Sequence, residues 1–300
     1  MSRFRYLIYI PAVIAFCCLA AAAQEEVDEV ISVDSSLVVL NASIADASGR
    51  HVGGIRRSEF SVFENGTAQE ISFFQAEETP FAAVILLDTS GSMGENVTLA
   101  RSAAIRFLDG LRHLDSAAIY HFHSRVEMVQ DFSNSRDVSE RIFDLRSDGM
   151  TALNDAIYKA AELLEQRPEK RRAIIVLSDG ADTQSGRSAS RVLKAALAAN
   201  AVIYTVDMAP ETSGSQRHQN RGVLRNFAEK TGGTFVAKPG GAALREAFAA
   251  IVDELGIQYT LGYYPIENKK DGKWRDLEIR VARPNLSIRT RKGYYADKEK

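Results

Sequence analysis

From residue 80 to 256 the chain alternates two kinds of hydrophobic pattern. Unbroken apolar runs give way to stretches whose apolar residues recur every three or four positions. Phe81 to Leu87 is apolar throughout, which predicts a strand buried on both faces. Leu99, Ala103, Phe107 and Leu111 then mark one face of a helix. Ala117 to Phe122 and Val126 to Phe132 read as a short strand pair around His123-Ser124-Arg125. Leu153, Ile157, Ala160, Ala161 and Leu164 predict a second helix, opened by Gly149-Met150-Thr151. Ala173 to Leu177 is another buried strand, followed by a helix face at Val192, Ala195, Ala196 and Ala199 and a strand at Val202 to Val206. A polar loop from Ala209 to Gly222 leads to a short helix at Leu224, Phe227 and Ala228 and a strand at Thr234 to Val236. Leu244, Phe248, Ile251 and Leu255 mark the last helix, over 241 to 255. Strands alternating with helices imply an α/β fold: a doubly wound, mostly parallel sheet with helices on both faces.

The flanks have a different period. Leu37, Val39, Leu40, Ile44 and Ala45 suggest an extended strand, and Asp46 to Gly49 a turn. Phe60 to Phe63 and Ile71 to Phe74 flank Asn65-Gly66, a strong hairpin signal. After Gly256, Gln258 to Tyr264, Trp274 to Ala282 and Leu286 to Arg291 read as strands. About forty residues bury little surface alone. The simplest assembly therefore pairs the two flanks in a small β-sandwich, with the α/β region inserted between them. This divides the chain into 1–23, 24–79, 80–256 and 257–300.

The first 23 residues stand apart. Arg3 and Arg5 precede an apolar stretch from Tyr6 to Leu19, and Ala20 to Ala23 offer a small-residue cleavage site. That is the pattern of a secretory signal peptide cleaved after Ala23. A retained anchor is the alternative, but Pro11 interrupts a run shorter than the roughly 20 residues a spanning helix needs. Both cysteines, Cys17 and Cys18, lie here; lipoprotein-type cleavage at either would place Phe16 where a small residue is expected. After signal removal there is no membrane span, disulfide or thiol ligand, and the expected location is secreted or periplasmic. Loss of two arginines and no acid moves the net charge from −2 to −4, with no strong field to attract nucleic acid. Gln24 to Asp34 is acidic and reads as a flexible lead-in.

The candidate chemistry lies where the buried strands stop. Asp88, Ser90 and Ser92 share one loop after the first strand. Thr151 stands just before a helix, and Asp179 follows the run ending at Leu177. Open parallel sheets bind ligands beyond the carboxyl ends of their strands. Three loops can therefore bring these oxygens to one edge, and oxygen donors suit hard cations such as Mg2+.

The ordered set Asp88, Ser90, Ser92, Thr151 and Asp179 resembles the metal-ion-dependent adhesion site of the von Willebrand factor type A domain, a Rossmann-like fold. The likeness covers about 80 to 256. It implies that Ser90, Ser92 and Thr151 bind Mg2+ or Mn2+ directly and that Asp88 and Asp179 act largely through water. It also implies a protein partner whose acidic residue completes the metal sphere. The segments Ser58 to Gly66, Tyr259 to Pro265 and Lys292 to Tyr295 are similar to those flanking this domain in secreted bacterial relatives. Such a protein is a non-enzymatic binding module for adhesion or assembly, and a shift of helix 241–255 on ligand binding is the family analogy.

Other features read more plainly. His121 and His123 share one side of a strand but lack an evident third ligand. Arg217, His218 and Arg221 fall in the polar loop, at the same edge as the metal, where they could attract an acidic ligand. Thr151 could also cap its helix. No nucleophile elbow or phosphate loop is present. Two further readings remain open: a scaffold that binds through the sandwich, with a structural or empty metal site, and a metal-assisted hydrolase. Partner identity and oligomeric state are not encoded in any motif.

Overall fold

The computed structural model describes residues 37–298 other than 77–78, 95, 210–214 and 238–240. Residues 1–23, where a signal peptide is expected, the cysteines there and the acidic lead-in lie outside the described residues.

The chain enters through β1 (Val38–Ala45), β2 (Phe60–Glu64), β3 (Thr67–Gln69) and β4 (Ile71–Ala76). Asn65 and Gly66 both take positive φ, 47° and 81°, the conformation a tight two-residue hairpin turn requires. The return strand is β3, however, not 71–74. After three residues the chain crosses to the opposite sheet, where β4 pairs with a C-terminal strand.

The α/β region follows in the predicted order. Its elements are β5 (Phe81–Asp88), α1 (Asn96–Asp109), β6 (Ser116–Phe122), β7 (Val126–Ser133), α2 (Leu153–Glu165), β8 (Arg171–Ser178) and α3 (Ala189–Ala198). Then come β9 (Ala201–Asp207), α4 (Ser215–Thr231), β10 (Phe235–Ala237) and α5 (Gly241–Ile257). The sheet order is β10-β9-β8-β5-β6-β7, parallel except for β7. Side chains alternate along β5, so its residues divide between two cores. Phe81, Ala83, Ile85 and Leu87 pack with α1 and α5; Ala82, Val84 and Leu86 pack with α2, α3 and α4. At roughly 25 cal/mol per Å2 of apolar area, these two layers are the main source of cohesion in the region.

Four strands complete the sandwich: β11 (Tyr259–Tyr263), β12 (Trp274–Val281), β13 (Ser287–Arg289) and β14 (Gly293–Tyr295). One sheet runs β13-β1-β11-β4 and the other β14-β12-β2-β3, so each mixes strands from both ends of the chain. Leu40, Val62, Tyr259, Leu261 and Ile279 meet in one shared core. The α/β region is therefore inserted between β4 and β11, whose residues Ala76 and Tyr259 face each other across the ladder.

Two arginines fix the exit from that region. Arg171, fully buried, donates to the carbonyls of Leu255 (3.3 Å), Gly256 (3.0 Å) and Gln258 and to Thr260 Oγ1 (3.2 Å). Arg112 reaches Gly256 O at 3.3 Å and pairs with Asp115. Cations at a helix C-terminus satisfy its unpaired carbonyls and oppose its dipole. No helix among the described residues is long and apolar enough to cross a membrane.

Helix α4 departs from expectation. It begins at Ser215, so Arg217, His218 and Arg221 lie on a helix and not in a loop. Its first two turns are polar all round, leaving no apolar period to read. They are anchored by charge: Asp207, fully buried at the end of β9, takes Arg217 at 2.5 Å and Arg221 at 3.7 Å.

Candidate metal centre

Asp88 ends β5, and its carboxylate is buried completely. Its two oxygens have different partners. Oδ1 accepts from Ser90 N at 2.9 Å, tightening the loop, and Oδ2 accepts from Ser178 Oγ at 2.6 Å. β5 and β8 are neighbours with Leu87 opposite Leu177, which places Ser178 beside Asp88. Burial pushes the Asp88 carboxyl up to about 6, against the hydrogen bonds from Ser178 and Ser90 that oppose the rise. The nearby charge of Asp179 adds to it.

Ser90 is buried and Ser92 exposed, with their hydroxyl oxygens 3.1 Å apart. Backbone bonds hold the Thr151 loop against this one. Asp148 N donates to Thr89 O at 2.9 Å, and Gly91 N to Gly149 O at 3.1 Å. Thr151 is 3 % exposed, and it does not cap α2. The cap position is Ala152; Thr151 N instead donates to Thr183 Oγ1 at 2.9 Å, and its carbonyl accepts from Thr183 and Gln184. The loop after β8 is thereby tied to the Thr151 loop. Asp179 sits half-buried there, with Oδ1 accepting from Ala181 N. Gly180 takes φ +79°, and a Cβ on it would stand 2.6 Å from Asn220 O, so the loop seats directly on α4.

The five predicted residues thus lie on three loops bonded to one another at the carboxyl edge of the sheet. Sequence reading gave no role to three supporting groups: the Ser178 hydroxyl, Thr183 and Asp207. Each depends on which strands or loops are neighbours, and no local pattern records that.

The donor set fits a hard divalent cation. The Ser90 and Ser92 hydroxyls stand together in the loop that Asp88 braces, and a cation would compensate a carboxylate stripped of water. The histidines are committed elsewhere. His121 Nδ1 lies 3.0 Å from Thr89 Oγ1 and its Nε2 3.4 Å from Glu127; burial lowers its pKa. This Thr-His-Glu row resembles a nucleophile relay, but Thr89 is fully buried and its hydroxyl donates to Phe122 O. Among the described residues no group of three or more His, Cys, Asp or Glu could hold a metal.

A family model for the von Willebrand factor type A domain matches residues 83–250. Inter-alpha-trypsin inhibitor heavy chain H3 of Bos taurus is 25% identical over 122 residues, covering 36% of this chain and 14% of its own length. This chain therefore spans only a small part of that curated relative. Among solved structures, von Willebrand factor type A from Catenulispora acidiphila superposes with a TM-score of 0.50 at 14% identity, covering 88% of this chain and 75% of that one. The PilB minor pilin from Streptococcus sanguinis gives 0.47 at 13% identity, covering 60% and 62%.

Proposed function

The chain belongs to the von Willebrand factor type A domain family, and on that premise we propose that it captures a protein partner through a divalent cation at the edge formed by Asp88, Ser90, Ser92, Thr151 and Asp179. The observation that carries the reading is the bonding of three loops around the buried Asp88 carboxylate. Ser90, Ser92 and Thr151 would hold Mg2+ or Mn2+ directly, with Asp88 and Asp179 acting mainly through water. Bound there, the cation supplies a Lewis-acid position for a carboxylate from the partner. The chain's own residues make that position selective. Neutral hydroxyls leave much of the cation's charge uncancelled, and Ser178 and the Ser90 amide orient Asp88.

Arg217 and Arg221 contribute beside the site. They share the single charge of Asp207 at the end of the strand next to Ser178, leaving a surplus of positive charge that favours an acidic partner. The protein would act outside the cytoplasm, secreted or periplasmic, with residues 1–23 as its export signal. It is a binding module and not an enzyme.

Calorimetry with Mg2+ or Mn2+ tests the reading. The purified protein should bind one equivalent, and Ser90→Ala or Thr151→Ala should abolish binding without unfolding the chain. Capture of a partner from envelope extract should vanish with chelator. A folded protein that ignores both metals, or capture that survives chelation, would refute it.

A further inference from the structure

A cavity of about 800 Å3 opens where the sandwich meets the start of β8 and α3. Its wall includes Lys170, Arg172, Lys194 and Arg291, and none of these has a carboxylate within 4.0 Å among the described residues. The lysines rest on aromatic faces: Lys170 Nζ lies 5.3 Å from the Phe73 ring centre and Lys194 Nζ 4.8 Å from that of Tyr295. Arg172 donates only to the carbonyls of Arg167, Glu169 and Ala199. The wall also carries acids, with Glu165 acting on Arg172 through its charge, Glu267 paired with Lys269 and Asp271 with Arg275, but cations outnumber acids along it by seven to four.

Arg291 is the most unusual of the four. It is 8 % exposed and donates to Leu197 O at 3.1 Å and Val39 O at 2.9 Å. Its Nε has no hydrogen-bond partner among the described residues. Burial lowers its pKa to about 10, and its aromatic neighbour is the Tyr294 ring, 5.4 Å from the guanidinium carbon. A buried cation without an anion is costly unless something else supplies the counter-charge.

We propose that this groove is a second binding site, which takes an extended acidic peptide segment of a partner protein. The cations come from the start of β8 and the residue before it, from α3, and from the segment between β13 and β14, so no single element carries them. Carboxylates spaced along a chain match them, whereas one small anion could meet only part of the set. The volume is in the range of pockets that enclose many ligand atoms, far beyond a single ion. The groove lies at the amino end of β8, and Ser178 lies at the carboxyl end. Eight residues at about 3.3 Å each put roughly 25 Å between the two sites, so they can be tested apart.

The test uses the full chain in EDTA, with a fluorescein-labelled hexaglutamate peptide followed by fluorescence polarisation. Saturable binding is expected, weakened at least tenfold in the exposed double variant Lys170→Glu/Lys194→Glu and unchanged in Ser90→Ala. Arg291→Met should also weaken it. If that variant is unfolded by circular dichroism, the lysine pair, both on the surface, decides the matter. Absence of binding, equal binding to the charge-reversed variant, or equal binding of a Gly-Ser control peptide would overturn the site. Tighter capture of a polyphosphate chain than of the peptide would overturn the peptide assignment.

Discussion

The hydroxyl of Ser178 stands 2.6 Å from Asp88 Oδ2, joining the ends of two adjacent parallel strands. Both residues are fully buried, so neither has water to replace the other. Removing the hydroxyl would leave one carboxylate oxygen short of a partner. Ser178→Ala should therefore cost about 1–3 kcal/mol, the usual cost of an unsatisfied buried polar group. Urea denaturation of the metal-free protein measures this, and an unchanged midpoint would contradict it.

Gly180 occupies a position no other residue fits. Its φ of +79° is unfavourable for a side chain, and a Cβ would stand 2.6 Å from a backbone oxygen on α4. Gly180→Ala should push the Asp179 loop away from that helix. The expected result is a loss of about 1–3 kcal/mol from strain, seen as a lower melting temperature, with Mg2+ affinity weakened at the same time.

The buried guanidinium of Arg171 serves three carbonyls at the end of α5 and the start of β11. Arg171→Met roughly keeps the volume but orphans the carbonyls of Leu255 and Gln258, leaving that of Gly256 to Arg112 alone. Destabilisation of at least about 3 kcal/mol is expected, since each lost bond to a charged donor is worth about 1.5–3 kcal/mol and some carbonyls will find water. Hydrogen exchange should show the amides of 255–260 losing protection first.

Much of the architecture was legible because it rests on local period. The unbroken run of β5, the four-residue steps of α1 and α2, and Asn65-Gly66 each declare their element within a few residues. Asp88, Ser90 and Ser92 were legible for the same reason, since they occupy one loop. The rest depended on distant neighbours. That β4 leaves its hairpin for the other sheet is decided by its pairing with β11, almost two hundred positions on, in the register Phe74 to Leu261. The start of α4 was hidden because a helix held by Asp207 needs no apolar stripe there.

Glu59 supplies a test of acid sensitivity. The hydrogen bond from Arg283 (2.7 Å), aided by the Arg56 amide, lowers its carboxyl from 4.5 to about 2. A depressed folded-state value means the contribution is full above about 4.5 and is lost as pH falls toward 2. An NMR titration should show Glu59 still ionised at pH 3.5, and Arg283→Gln should move its midpoint back toward the ordinary range.

The two legs by which the α/β region joins the sandwich are β4 and β11, side by side, with Ala76 opposite Tyr259. Tension from a captured partner would draw both legs the same way, so it would not peel one from the other. Were the chain held at Val38 and pulled at Tyr259, opposite ends of the ladder between β11 and β1, the five residue pairs from Val38 to Ala42 would take the load. Bonds arranged that way would be loaded in shear and would share the force instead of opening one by one.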